Sequence, residues 1–343
     1  MSEKLVRVPA DKLRELFKQK FIANGMKEEF ADRTADVLLW ADERGIHSHG
    51  SVRMQYYSER QAKGGFNNDP EFKWEKTGPS TAIFHGDNAK GTYVAHEAME
   101  KAIEMAEENG VAVVGMSRLS HSGAIGYYVE KAAEKGMVAL SVVQSDPMVV
   151  PFGGSEPYFG TNPIAFGAPR AEGNKPIVFD MATTVQAWGK ILDARSKNKE
   201  IPDTWAVDKD GKPTTDPWEV NALLPVAGPK GYGLMMMVDV LAGSLLGLPF
   251  GKHVSSMYAD LSEYRNLGQL HIVINPDFFS SKDALIEKME QMVQELHDQK
   301  PAPGFDQVYY PGELMNAVKE EYDKDGIPIP EDIVNFLESD RLY

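Results

Sequence analysis

The chain has 343 residues, with 36 Lys and Arg against 51 Asp and Glu, a net charge of −15 and no cysteine. This acidic balance argues against nucleic acid or an anionic membrane surface as a partner, because both need a basic footprint. The missing cysteines exclude disulfides, thiolate catalysis and cysteine-held zinc or iron–sulfur sites, and the length suits two or three packed units rather than one core.

The opening MSEKLVRVPADKL has no apolar signal core, which predicts a cytoplasmic chain. Residues 10–63 read as helices. Leu13, Leu16, Phe17 and Phe21 recur at helical spacing, with Gly25 placed to end the helix. A second helix spans Ala31 to Ala41 and stops at Gly45. A third starts near Ser48 or Ser51 and carries Arg53, Tyr56 and Tyr57. From about residue 80 strands alternate with helices, the mark of an α/β sheet domain. TAIFHG, GVAVVGMS, MVALSVVQS, NPIAFGAP, KPIVFDMA and Leu267 to Asn275 read as strands. Ala95 to Asn109, Gly123 to Lys135 and Val185 to Lys199 read as helices. The apolar stretch Gly231 to Gly251 contains Asp239 and several glycines, so it reads as a buried core helix rather than a membrane span. Lys282 to Gln299 is amphipathic, with Leu285, Ile286, Met289, Met292, Val293 and Leu296 on one face. An extended arm, PAPGFDQVYYPGE, and two short helices close the chain. The predicted division is a helical part over 1–75, an α/β domain over 76–280, and a C-terminal helical part over 281–343 that packs with the N-terminal helices.

No GxGxxG, GxxxxGK[ST] or HExxH motif occurs, so neither usual nucleotide fingerprint is present. In SRLSHSGAIGYY, His121 sits at a strand-to-helix turn, where α/β folds place ligand-facing side chains. It reads either as a capping or packed histidine or as a proton-trading one. QSDPMVVPFGG follows a strand and reads as a site loop or an ordinary turn. GPKGYG puts Lys230 at a helix start, where bare N–H groups hold anions; a solvated turn is the alternative. FDMATT ends a strand with an acid and two hydroxyls, and a helix cap is the alternative. In IHSHGSVRMQYY, His47 and His49 lack a third ligand at diagnostic spacing, so no metal site is predicted. Arg53 there is a surface cation unless a partner motif gives it an anion to hold.

Taken together and in order, HSHGSVRMQYY, SRLSHSGAIGYY, FGTNPIAF, FDMATTVQAWGK, PKGYGLMMMVDVLAG and NLGQLHIVINP resemble the malate/L-lactate dehydrogenases of the second, non-Rossmann type. The similarity runs over nearly the whole chain. QSDPMVVPFGG, IPDTWAVDKDGKPTTDP and APGFDQVYYPGE are most similar to one branch of that family. That branch oxidises a ureido-bearing 2-hydroxy acid with NAD⁺ in allantoin breakdown, whereas others act on malate, lactate or sulfolactate. The resemblance implies an α/β fold: a non-Rossmann mixed β-sheet dinucleotide-binding core with a helical domain built from the N- and C-terminal segments. It also implies NAD as cofactor, a small-molecule substrate and a homodimer.

By motif, the resemblance implies His121 as proton acceptor. Ser48, His49, Arg53 and Tyr57 match the substrate wall. Ser145, Asp180, Met181, Ala182, Lys230, Gly312, Glu313 and Leu314 match dinucleotide contacts. A 2-hydroxy acid then needs a cation on its carboxylate, which Arg53 supplies bidentately, and a base on its hydroxyl, which neutral His121 supplies. The N–H groups of a ureido tail want an acceptor; Asp146, beside Ser145, is one candidate, and an Asx-turn ahead of Pro147 is the competing reading of that residue.

Overall fold

The computed structural model describes residues 4–343. Residues 1–3, the start of the leader stretch and of the helical part expected over 1–75, lie outside the described residues. After a short strand, β1 (Leu5–Val8), come α1 (Ala10–Ala23) and α2 (Glu28–Glu43). Leu13, Phe17 and Phe21 of α1 are buried at four-residue spacing, so they share one face. Two 3₁₀ turns (His47–His49 and Ser51–Arg53) lead into α3 (Met54–Ala62). The third helix therefore begins after Arg53, which sits in a turn.

Then follow β2 (Lys73–Lys76), β3 (Thr81–His85), α4 (Gly91–Asn109), β4 (Val111–Leu119), α5 (Gly126–Glu134), β5 (Val138–Val143), β6 (Ile164–Ala168) and β7 (Ile177–Met181). A smaller lobe holds α6 (Trp188–Ser196), β8 (Ala206–Val207) and β9 (Ala222–Leu223), and α7 (Pro229–Ala242) leads back towards the sheet. The chain ends with β10 (Leu267–Ile274), α8 (Lys282–His297), α9 (Glu313–Asp325), β11 (Ile327–Pro330) and α10 (Glu331–Glu338).

Seven strands form one open mixed sheet in the order β2-β3-β4-β10-β5-β6-β7. The β3–β4 pair is parallel and the other five pairs are antiparallel. Strand β10 lies in the middle and is covered on both faces. His271 and Val273 face α4, while Leu270 and Ile272 pack with Val238 and Ala242 of α7. This is the layered α/β arrangement expected of a sheet with two apolar faces.

The N-terminal helices share a core with the chain's end: Leu13, Phe17 and Phe21 pack with Ile327, Ile329, Val334 and Phe336. Strand β1 pairs antiparallel with β11, joining the two chain ends. Helix α8 makes different contacts. Its Val293, Met289 and Leu296 pack on Phe166, Ala168 and Ile177 of β6 and β7, and Glu290 binds Arg170 through two bonds of 3.0 and 2.7 Å. Its neighbours thus belong to the α/β part.

Helix α7 corrects one expectation. Met235, Val238 and Ala242 are buried, but Leu234, Met236, Met237 and Val240 are 38–48% exposed on the outer side. A helix apolar on all sides needs cover on all sides, and one chain covers only the face towards β5 and β10. Among the described residues no helix is long and apolar enough to cross a membrane.

Candidate active site

The antiparallel pairing brings several loops to one end of the sheet. Leu119 at the end of β4 lies opposite Leu267 at the start of β10, and Val143 at the end of β5 lies opposite Gln269. Ile164 at the start of β6 lies opposite Met181 at the end of β7. His121, Ser145, Asp146 and Asp180 to Ala182 therefore emerge on one edge, scattered in sequence but neighbours in the sheet. The Thr183 N–H donates to the Thr161 carbonyl (2.9 Å), Thr161 N–H donates to Ser145 Oγ (2.8 Å), and Val226 N–H donates to Thr183 O (3.0 Å). These bonds carry the connectivity from Ser145 to the start of α7, where Lys230 is exposed.

His121 is half-buried in the turn between β4 and α5. Its Nδ1 lies 2.6 Å from Tyr57 Oη and 3.2 Å from the Gly123 N–H. A phenol accepts as well as donates, so the shorter bond is compatible with an imidazole whose Nε2 is free to take a proton; the longer Gly123 contact favours the other tautomer. Burial lowers the proton affinity of His121 well below the usual histidine range, and Arg53, His49, Lys90 and Arg265 push it down further. The ring is therefore neutral near pH 7, the state a base needs.

The second wall comes from the leading helices. Arg53 donates through Nε to the Ser48 carbonyl (2.7 Å) and through Nη1 to Tyr258 Oη (2.9 Å). Ser48 Oγ lies 3.0 Å from His49 Nδ1, and the His49 ring stacks on His121 with centroids 5.8 Å apart. Burial, then Arg53, brings His49 down to about 3. Asp42, fully buried in α2, holds this turn in place: it accepts the Ser51 N–H (2.6 Å) and faces His47 Nδ1 (2.9 Å). His47 and His49 are thus turned to different partners. The structure brings Ser48, His49, Arg53, Tyr57 and His121 into one cluster.

The residues matched to a dinucleotide fall in two places. A cleft of about 420 Å³ is lined by Val178, Phe179, Asp180, Tyr309, Tyr310, Pro311, Gly312 and Leu314. Gly312 closes it with φ +92°, and a Cβ there would stand 2.6 Å from the Val178 carbonyl, so only glycine allows this approach. The side chain of Asp180 caps α5, accepting the Gly126 N–H at 2.7 Å, and burial raises it to about 6. Glu313 is engaged by His297 Nε2 (2.8 Å) and the Tyr310 N–H (3.0 Å), so that carboxylate serves the turn. Met181 and Ala182 continue the β7 edge, and Ser145 and Lys230 belong to the loop network next to it.

Asp146 departs from the expectation of a free acceptor. It is buried, with Oδ1 3.1 Å from Arg265 Nη2 and Oδ2 accepting the Met257 N–H at 2.9 Å. It anchors the segment ahead of β10 and forms no Asx-turn contact. Sequence reasoning also passed over Lys90, Arg265 and Tyr258. Lys90 follows a strand and precedes a helix, the same signal that singled out His121. Arg265 and Tyr258 carried no signal, because their partners lie more than a hundred residues away.

On this α/β scaffold a sheet edge carries an imidazole that can trade a proton, with a guanidinium nearby that can hold an anion. A sequence profile of the malate/L-lactate dehydrogenases matches residues 8–338. The chain belongs to the malate/L-lactate dehydrogenase family. It is 59% identical to the ureidoglycolate dehydrogenase (NAD(+)) of Escherichia coli (strain K12), over 98% of this chain and 97% of that one. It is 40% identical to the L-sulfolactate dehydrogenase of Methanocaldococcus jannaschii, over 91% and 90%. Among solved structures, the sulfolactate dehydrogenase from Methanocaldococcus jannaschii matches with a TM-score of 0.90 at 37% identity, covering 97% of this chain and 96% of that one.

Proposed function

We propose that this chain is an NAD-dependent ureidoglycolate dehydrogenase, oxidising the hydroxyl of (S)-ureidoglycolate to the keto group of oxalurate in the allantoin branch of purine breakdown. The observation that carries the chemistry is the pairing of a neutral His121 with Tyr57 beside Arg53. The choice of substrate is supported by the 59% identity to a ureidoglycolate dehydrogenase. Arg53 holds the substrate carboxylate as a planar fork. Ser48, His49 and Tyr57 wall the pocket, and His121 takes the hydroxyl proton. General-base help of this kind contributes about 10²–10⁴ in rate. NAD⁺, when bound, supplies the hydride acceptor. The slot at Gly312, the β7 edge from Asp180 to Ala182, Ser145 and Lys230 are the groups that would hold it, Lys230 at a helix start suited to a phosphate.

The exposed outer face of α7 supports a homodimer, a second copy covering Leu234, Met236, Met237 and Val240. The cytoplasm is the compartment this reading implies.

The test is a substrate panel followed by NADH absorbance: (S)-ureidoglycolate, malate, lactate and sulfolactate, each with NAD⁺ and NADP⁺. Ureidoglycolate with NAD⁺ is expected to give the highest kcat/KM, by at least about tenfold, since a site built around polar groups rejects analogues that leave them unpaired. A preference for malate, lactate or sulfolactate would move the chain to another branch of the family.

A further inference from the structure

Lys90 is a buried cation with no place in the reaction as described. It sits in the turn between β3 and α4, with 1% of its surface exposed. The turn is pinned against the catalytic loop. Gly91 donates its N–H to Ser120 Oγ at 3.0 Å, and a Cβ on Gly91 would stand 2.0 Å from the Ser120 carbonyl oxygen. The amine therefore enters under Tyr57, with Nζ 3.0 Å from the ring centroid. Its hydrogen bond runs to the backbone carbonyl of His121 (3.4 Å). The charges that act on it, Arg60 and Arg53, are positive. Burying an amine without a carboxylate is unfavourable for packing alone, and an apolar side chain of the same length would fill the space.

We propose that Lys90 is a positioning residue for the proton-handling pair: clasped between the Tyr57 ring and the His121 carbonyl, its amine competes with the imidazole for one proton, so that a charged Lys90 keeps His121 free to act as base. This rests on the reading of His121 as the base. Two cations this close disfavour each other, and pairs of titratable groups pushed apart in this way divide acid and base roles. The two contacts of the amine favour charge on it: the π face of Tyr57 attracts a cation, and the His121 carbonyl accepts its hydrogen. Four cationic or basic groups act on the imidazole. These are Arg53 beside Tyr57, His49 from the first 3₁₀ turn, Lys90 from the start of α4, and Arg265 ahead of β10, whose own partner is Asp146. Burial and the neighbouring arginines pull Lys90 well below the usual lysine range.

The experiment is the pH dependence of kcat/KM for oxidation in the full chain, in the parent, Lys90→Met and Lys90→Arg. Lys90→Met removes the charge and keeps the stem. Its acid limb is expected to move up by about one pH unit or more, because removing a like charge favours the protonated imidazole. Lys90→Arg, with a permanent charge, is expected to return the limb towards the parent. A limb in Lys90→Met that stays within about 0.2 unit of the parent, whatever happens to the plateau rate, would overturn the proposal. So would a Lys90→Arg enzyme that melts like the parent and keeps the shifted limb. Lys90→Gln takes the place of Lys90→Met if the latter fails to fold. His121→Ala separates the two failures. If it keeps turnover, the base reading falls and the proposal with it; if it loses turnover while the limb of Lys90→Met is unmoved, Lys90 alone is dismissed.

Discussion

Tyr57 and His121 are joined by a 2.6 Å hydrogen bond that crosses between the two parts of the molecule. Tyr57 comes from α3, among the leading helices, and His121 from the edge of the sheet. His121 Nδ1 is the atom that both the Tyr57 hydroxyl and the Gly123 N–H address, at 2.6 and 3.2 Å. The bond fixes the angle of the ring.

Tyr57→Phe removes that hydroxyl and leaves the ring's packing intact. The imidazole loses the group that holds its angle, and general-base help is worth about 10²–10⁴ in rate, so kcat is expected to fall by at least about tenfold with little change in melting temperature. Steady-state kinetics with a thermal melt checks this; an unchanged kcat would detach Tyr57 from the reaction.

Arg53→Lys replaces a fork already oriented by the Ser48 carbonyl and Tyr258 with a flexible point charge. A hydrogen bond to a charged group contributes about 1.5–3 kcal/mol, so KM for the 2-hydroxy acid is expected to rise by about 10- to 150-fold while KM for NAD⁺ stays put. An equal rise in both would mean that the substitution disturbs the fold rather than the carboxylate site.

Asp146→Ala tests the revised role of that carboxylate. Arg265 is buried, and its Nη1 has no hydrogen-bond partner in the structure. Removing Asp146 leaves the guanidinium with the Ser255 Oγ contact at 3.2 Å alone, and breaking a buried pair from one side costs about 3–5 kcal/mol. The loss is expected in the denaturant midpoint. A variant as stable as the parent but indifferent to the ureido tail would restore Asp146 as a substrate group.

Acid is expected to destabilise the protein through its neutral histidines. His49 is lowered to about 3, and His121 also lies below the ordinary value near 6.5. Their folded-state proton affinity is depressed, so the unfolded chain binds more protons as pH drops under 6.5. The stability that His49 contributes is complete above pH 6.5 and is lost as pH falls towards 3. Each group adds a slope of up to about 1.4 kcal/mol per pH unit in that window. Denaturant midpoints at pH 7.5 and 5 should differ less in His49→Gln than in the parent. An identical difference in both would mean that His49 is protonated in the folded state.

Much of this was readable where short-range pattern decides structure. The four-residue spacing of Leu13, Phe17 and Phe21 marks α1, and the apolar run of Val111 to Val114 marks β4. Pairing between distant segments left no such trace. Strand β11 is written IPIP, and its prolines mask an alternation in which Ile327 and Ile329 face inward. The apolar run of α7 was legible as a helix, but its outer face depends on what lies beyond one chain. At the candidate site, the motifs singled out His121, Arg53 and Tyr57, which the fold brings together. They misjudged Asp146, whose partner Arg265 lies 119 residues further on, and passed over Lys90, whose importance appears only when its amine is seen under an aromatic ring.

The clasp between Leu5–Val8 and Ile327–Pro330 has a consequence for synthesis. The strands of the sheet are complete once Ile274 has left the ribosome. The segment that carries Arg53 is emitted early, yet the core beneath it waits for Ile327, Ile329 and Phe336. A polypeptide interrupted a few dozen residues short of its end would own every strand around His121 and still lack a firm grip on its acid.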